Sequence, residues 1–190
     1  MRLQIRRSTF ETNSSTNHTL AIRRTDNSAA DKLDRSRIWT VSVGSEPFSE
    51  IEKIIDHPVV NLGELTLETK LNILFWAAVS NCSTSDMLSA IDIIDRAAAK
   101  IGVKLEFSFS EAIKAVNEEY LPDYGVLAMA GSELVFYEER DIIDFLLSED
   151  VWYTCWCDEC CGEPSEEIEE IEARIESIPE DKRLVLRERM

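Results

Sequence analysis

A single glycine, Gly102, separates two hydrophobic periods that cannot belong to the same kind of element. Before it, Leu88, Ile91, Ile94, Ala98 and Ile101 stand three or four residues apart, the stripe of an amphipathic helix. After it, Val103-Lys104-Leu105-Glu106-Phe107-Ser108-Phe109 alternates apolar and polar at every step, as a half-buried strand does. Glycine ends helices by adopting the left-handed conformation at no steric cost, so the switch has a local cause. A chain that changes period across one residue belongs to neither the all-α nor the all-β class.

The rest of the chain repeats the mixture. A helix is expected from Ser49-Glu50-Ile51-Glu52 to His57, where Pro58 stops it. Another begins at Thr66 and runs through Leu71, Leu74, Phe75 and Ala78. It pairs with the helix capped by Ser83 or Ser85 as a helical hairpin across Asn81-Cys82-Ser83. Ser110-Glu111 opens a short helix ended by Pro122, and Glu139-Arg140-Asp141 opens one with Ile142, Ile143, Phe145, Leu146 and Leu147 inward.

Strands are expected at 2–10 and 18–24, forming a hairpin, and at Ile38 to Val43, ending on Gly44. Val126 to Met129 pairs with Leu134 to Tyr137 around Gly131-Ser132, and Val151 to Thr154 is a further strand. Past Pro164, Ile168, Ile171, Ile175 and Ile178 stripe a glutamate-rich helix, and Pro179 precedes a last short helix with Leu184 and Leu186. The expected class is therefore α+β: an antiparallel sheet packed with helices over residues 1–162, and an acidic helical tail over 163–190.

Charge narrows the partners. Residues 1–38 hold eight basic side chains against four acidic ones, a net +4; the chain total is −17, so residues 39–190 carry −21. Phosphate affinity requires net cation placement, which excludes direct nucleic-acid binding over the body of the protein. Such a body is steered instead toward basic protein surfaces, including those that normally hold DNA or RNA. No window approaches ~18 consecutive apolar residues, so no membrane span is expected. Arg2, Arg6 and Arg7 precede no apolar stretch, which reads as the absence of a secretory signal, so the expected location is the cytoplasm of a bacterium or an infected host cell.

The most concentrated chemistry lies in Arg7-Ser8-Thr9-Phe10-Glu11-Thr12-Asn13-Ser14-Ser15-Thr16-Asn17-His18. Successive amides and hydroxyls in a tight loop make an anion-binding concavity, and an arginine at its base adds charge-assisted bonds. Arg7, Asn13, Ser14 and Ser15 are the candidate ligand-binding residues. His18, with an ordinary pKa of ~6.5, is a candidate general acid or base that Glu11 could orient. The plainer reading is a hairpin loop whose side chains satisfy its own backbone, and both readings stay open on the sequence.

This segment resembles the opening of a family of phage and prophage proteins. Those proteins begin with an arginine-bearing strand, then Phe-Glu-Thr-Asn-Ser-Ser-Ser, one more residue and a histidine. The resemblance covers the N-terminal motif and extends loosely to the Val126–Trp156 block. Two departures stand out: Thr16 replaces the third serine, and a cysteine cluster replaces the usual C-terminal end. The resemblance implies a phage origin and no activity.

That cluster places four of the five cysteines within Cys155-Trp156-Cys157-Asp158-Glu159-Cys160-Cys161. A Cys-x-Cys-x₂-Cys array can bring three thiolates to one Zn²⁺, with a fourth ligand from Cys161, Asp158 or a distant histidine. Structural zinc sites usually pair two Cys-x₂-Cys knuckles, and adjacent Cys160 and Cys161 do not easily face one ion, so a redox or packing role is the alternative. His57 reads as a helix-terminal cation. Cys82 reads as a half-buried turn residue, Trp39, Trp76, Trp152 and Trp156 as core, and Asp92/Asp95 and Asp141/Asp144 as solvated helix faces.

Two function classes follow. The first is a phage-derived acidic accessory protein that binds and modulates or inhibits a host protein, such as a nucleic-acid-binding or defence protein. The isoleucine-striped tail would then dock on its own domain, on a basic partner or on a second copy. The second is a small enzyme acting on a nucleotide or phosphorylated group through the Asn13–His18 loop.

Overall fold

Leu20, Ala21 and Ile22 are buried in succession, so the strand that carries them is covered on both faces. That strand, β1 (Thr16–Arg23), lies inside a four-stranded antiparallel sheet. The computed structural model describes residues 16–25, 39–45, 54, 59–81, 84–111, 138–157 and 165–189; at 16–18, 80–81, 84–86, 155–157 and 186–189 the backbone alone is described. The expected 2–10 strand, the 126–137 hairpin and nearly all of the 49–57 and 110–120 helices lie outside those residues.

Among the described residues the elements after β1 are β2 (Trp39–Val43), β3 (Val59–Asn61), α1 (Leu67–Asn81), α2 (Thr84–Lys100), β4 (Val103–Phe107), α3 (Glu139–Leu147), β5 (Val151–Cys157), α4 (Glu166–Ser177) and β6 (Arg183–Arg189). The α+β class is as expected. The main sheet runs β3-β5-β1-β6, while β2 and β4 form a separate two-stranded sheet.

Local signals account for most boundaries. Thr66 Oγ1 accepts the amide of Thr69 at 3.2 Å and caps α1. Gly102 takes φ +81° and ends α2 where the hydrophobic period changes. Ser165 caps α4 by accepting the Ile168 amide.

Helix α1 is buried almost all round, from Lys70 to Val79, which makes it the central helix. It packs against α2, α3 and β2. Phe75 is its pivot, with ring centroids 6.2 Å from Phe107 and 5.6 Å from Phe109. Leu20, Ile22, Val151 and Tyr153 of the main sheet close the same core.

Four expectations need correction. Strands β2 and β4 pair in parallel, Trp39 opposite Val103 and Val43 opposite Phe107, because the connection between them is long enough to carry α1 and α2. The last segment is strand β6 and not a helix: Leu184, Val185 and Leu186 pair with Ile22, Ala21 and Leu20 across the edge that β1 offers. Leu88 is 56% exposed. The buried face of α2 carries Ala90, Ile91, Ile94, Ala97 and Ala98, and at about 100° per residue Leu88 falls about 120° from its centre. Trp39, read as core, is 61% exposed at the start of β2.

Helix α4 lies on the face of the main sheet opposite that core. Val151 and Tyr153 belong to the core, so Trp152 takes the other face. The Arg174 guanidinium sits 5.2 Å from the Trp152 ring and 3.2 Å from Asp150, while Trp152 Nε1 also donates to Asp150. Ile168 and Ile175 are buried, and Arg183 donates to the Ile175 carbonyl at 2.8 Å. The isoleucine seam is therefore docked on its own chain.

Candidate functional site

Strand β1 joins the two motifs that the sequence singles out. Its register against β5 sets Thr16 opposite Cys157, Asn17 opposite Trp156 and His18 opposite Cys155. On the other side, β6 sets Glu188 opposite His18 and Arg189 opposite Asn17. Thr16, Asn17 and His18 thus belong to strand β1, Asn17 and His18 with a paired neighbour on each side and Thr16 with β5 alone. Arg7, Glu11, Asn13, Ser14, Ser15, Cys160 and Cys161 lie outside the described residues, as do His57 and Cys82.

Directly opposed positions of an antiparallel pair share one face of the sheet, and so do positions two apart on one strand. Positions 155 and 157 of β5, 16 and 18 of β1 and 188 of β6 therefore share a face. The histidine before the strand core and the first half of the cysteine cluster, 137 positions apart in sequence, become neighbours. The cysteine spacing could suggest a distant histidine as a ligand, but only the register selects His18.

A second polar cluster ties the end of β1 to α3. Asp144 is buried, and its Oδ1 accepts the Thr25 amide at 3.0 Å and the Thr25 hydroxyl at 2.6 Å. Its Oδ2 accepts Arg24 at 3.0 Å, and the same guanidinium nitrogen reaches Asp141 at 2.9 Å. Burial works to lower the Arg24 pKa, and the hydrogen bonds and charges of Asp141 and Asp144 outweigh it to hold the group above its ordinary value. Asp141 and Asp144 are thus an anchor for Arg24, not the solvated pair that i, i+3 spacing implies. Asp92, by contrast, is exposed and pairs with Arg96 on the outside of α2. Arg96 and Lys100 both reach Glu139, whose pKa is lowered first by the Lys100 hydrogen bond. This binds α2 to the start of α3.

Among the described residues Lys70 is the one lysine that the core absorbs, and the sequence carries no local sign of it. Its ammonium donates to the carbonyls of Ser148, Phe145 and Leu146 at 2.8, 3.2 and 3.4 Å. These are the open acceptors at the C-terminus of α3, where a cation is favoured by the helix dipole. Burial lowers its pKa from 10.5 to about 8, against a smaller opposing effect of the Glu149 charge. The unfolded chain then binds more protons than the folded one between pH ~8 and ~10.5, so this group makes stability rise with pH across that window. Urea unfolding of the wild type and Lys70→Met at pH 7, 8, 9 and 10 checks the effect. The wild type should gain on the variant as pH rises, and parallel curves would refute it.

Comparison with protein-family models, with curated proteins and with solved structures gives no match in any of the three. Among the described residues, no group of three or more His, Cys, Asp or Glu is arranged to hold a metal ion. The donor chemistry at positions 18, 155 and 157 nonetheless suits a borderline-soft cation: an imidazole and two thiols, adjacent across one ladder.

Proposed function

We propose that the chain is an acidic binding protein that engages a basic surface on another protein. On its resemblance to phage and prophage proteins, we read that partner as a protein of the bacterial host cytoplasm, modulated or inhibited by the contact. One observation carries the reading. Ile168 and Ile175 are buried within the chain itself, while Glu166, Glu167, Glu169, Glu170 and Glu176 of the same helix are exposed.

With its apolar seam engaged at home, α4 offers a partner a mainly acidic face, and a net charge of −17 supplies the long-range field. Repulsion between two such faces disfavours a homodimer through α4. Among the described residues no helix is long and apolar enough to cross a membrane.

The reading is checked with a Glu166→Gln/Glu167→Gln/Glu170→Gln variant, whose substitutions leave Ser165 and the buried isoleucines in place. Affinity capture from bacterial lysate should retain a basic protein at low salt, lose it steeply with added salt, and weaken about tenfold or more for the triple variant. Mobility-shift assays with DNA and RNA should show no binding. Capture that is indifferent to both salt and the three glutamates refutes the proposal.

A further inference from the structure

We propose that the face of the main sheet on which β1 and β5 bring His18, Cys155 and Cys157 together is a Zn²⁺ site, with Glu188 of β6 at the position opposite His18. The inference is independent of the protein-binding role. It rests on the register in which His18 lies opposite Cys155 on one side and Glu188 on the other, with Cys157 one step along the same face.

The spacing suits the ion. Directly opposed positions bring their Cβ atoms to about 4.5–5.5 Å, and diagonal ones to about 7–8 Å, still within reach of longer side chains. Positions two apart on one strand are separated by about 6.8 Å along it. A zinc ion holds thiolates at ~2.3 Å and imidazole at ~2.0–2.1 Å, distances compatible with residue positions this far apart. A Cys-x-Cys pair on a strand contributes both sulfurs to one face, which a Cys-x₂-Cys pair on a strand cannot do. This is why the short spacing, weak as a knuckle signature, fits here.

The Glu188 position adds a second argument. Metal-bound histidines usually donate their other ring nitrogen to a carboxylate, and this fixes the tautomer and raises ligand basicity. The flanking strand supplies a glutamate at the one position directly opposite His18. His18 is one of only two histidines in the chain, and it stands on the sheet face that also carries Cys155, Cys157 and Glu188. Binding costs the two thiol protons, so affinity should fall steeply below neutral pH.

Full-length protein purified without chelator should contain close to one equivalent of zinc by elemental analysis. Replacement with Co²⁺ should give tetrahedral visible bands and a thiolate charge-transfer band of a strength that corresponds to two sulfurs. His18→Ala should weaken Zn²⁺ affinity by at least ~100-fold, beyond the ~10–100-fold typical of an outer-shell partner, and Glu188→Gln by about tenfold or more. His57→Ala should leave affinity unchanged.

Should His18→Ala fail to fold, the Co²⁺ spectrum of the wild type still decides the matter. A spectrum of four thiolates, which an all-cysteine set of Cys155, Cys157, Cys160 and Cys161 would give, removes His18 from the site. Protein without zinc and without a charge-transfer band on Co²⁺ addition overturns the proposal altogether.

Discussion

Gly44→Ala is expected to cost about 2–5 kcal/mol, a large share of the ~5–15 kcal/mol by which a domain of this kind is stable. Gly44 closes β2 with φ +79°, a conformation that costs an L side chain roughly 1–2 kcal/mol. A Cβ at this position would also overlap the Phe75 ring and the Ser108 carbonyl. Neither neighbour can retreat: Phe75 is fully buried in the core, and the Ser108 amide is bonded to the Val43 carbonyl at 2.8 Å. The overlap adds roughly 1–3 kcal/mol of overpacking.

The Gly44 amide donates to Asn72 Oδ1 at 2.8 Å, and Asn72 in turn donates to the Glu68 carbonyl at 3.1 Å. Any backbone shift that relieves the overlap therefore breaks a buried bond to α1. Urea denaturation followed by circular dichroism measures the cost. A loss below about 1 kcal/mol would mean that the β2 terminus is not held as described.

Asp144→Ala is expected to be nearly as damaging, by about 2–4 kcal/mol, since it takes the acceptor from the two Thr25 donors and one of two counter-charges from Arg24. The substitution strands the Thr25 hydroxyl and the Thr25 amide and removes one of the two acceptors of Arg24. Asp141 alone then faces the guanidinium, at 2.9 Å from the same nitrogen. A double-mutant cycle makes the claim specific. If the damage comes from an orphaned cation, Arg24→Met should recover part of it in the Asp144→Ala background. Additive losses would show that Asp144 matters through the Thr25 contacts instead.

The two effects bear on function because both sites hold elements that flank the main sheet. Asp144 fastens α3 to the end of β1, the strand that carries His18. Variants meant to probe zinc or partner binding should therefore spare Asp144 and Gly44, so that a loss of binding is not a loss of fold.

Features that depend on a few adjacent residues could be read directly from the chain. The period change at Gly102, the caps at Thr66 and Ser165, the opening of α3 at Glu139 and the isoleucine stripe of α4 all appear where expected. Each is set by backbone dihedrals and by hydrogen bonds within one or two turns, and the α+β class follows from their mixture. The acidity of α4 was equally plain, since charge needs no partner to be counted.

What required the tertiary structure was pairing. Arg183-Leu184-Val185-Leu186 has residues suited to a helix, and it becomes β6 because β1 presents an open ladder edge and Leu184 can join the core. Val59-Val60-Asn61 is too short to signal a strand alone and exists as β3 because β5 lies beside it. Asp144 looks like any surface carboxylate until Arg24 and Thr25, more than a hundred positions earlier, are folded onto it. The same holds for the candidate metal site: the cysteines and the histidine were visible as types, but their adjacency is a matter of strand register. Register is set by which faces the whole sheet must bury, and no local stretch of sequence contains that information.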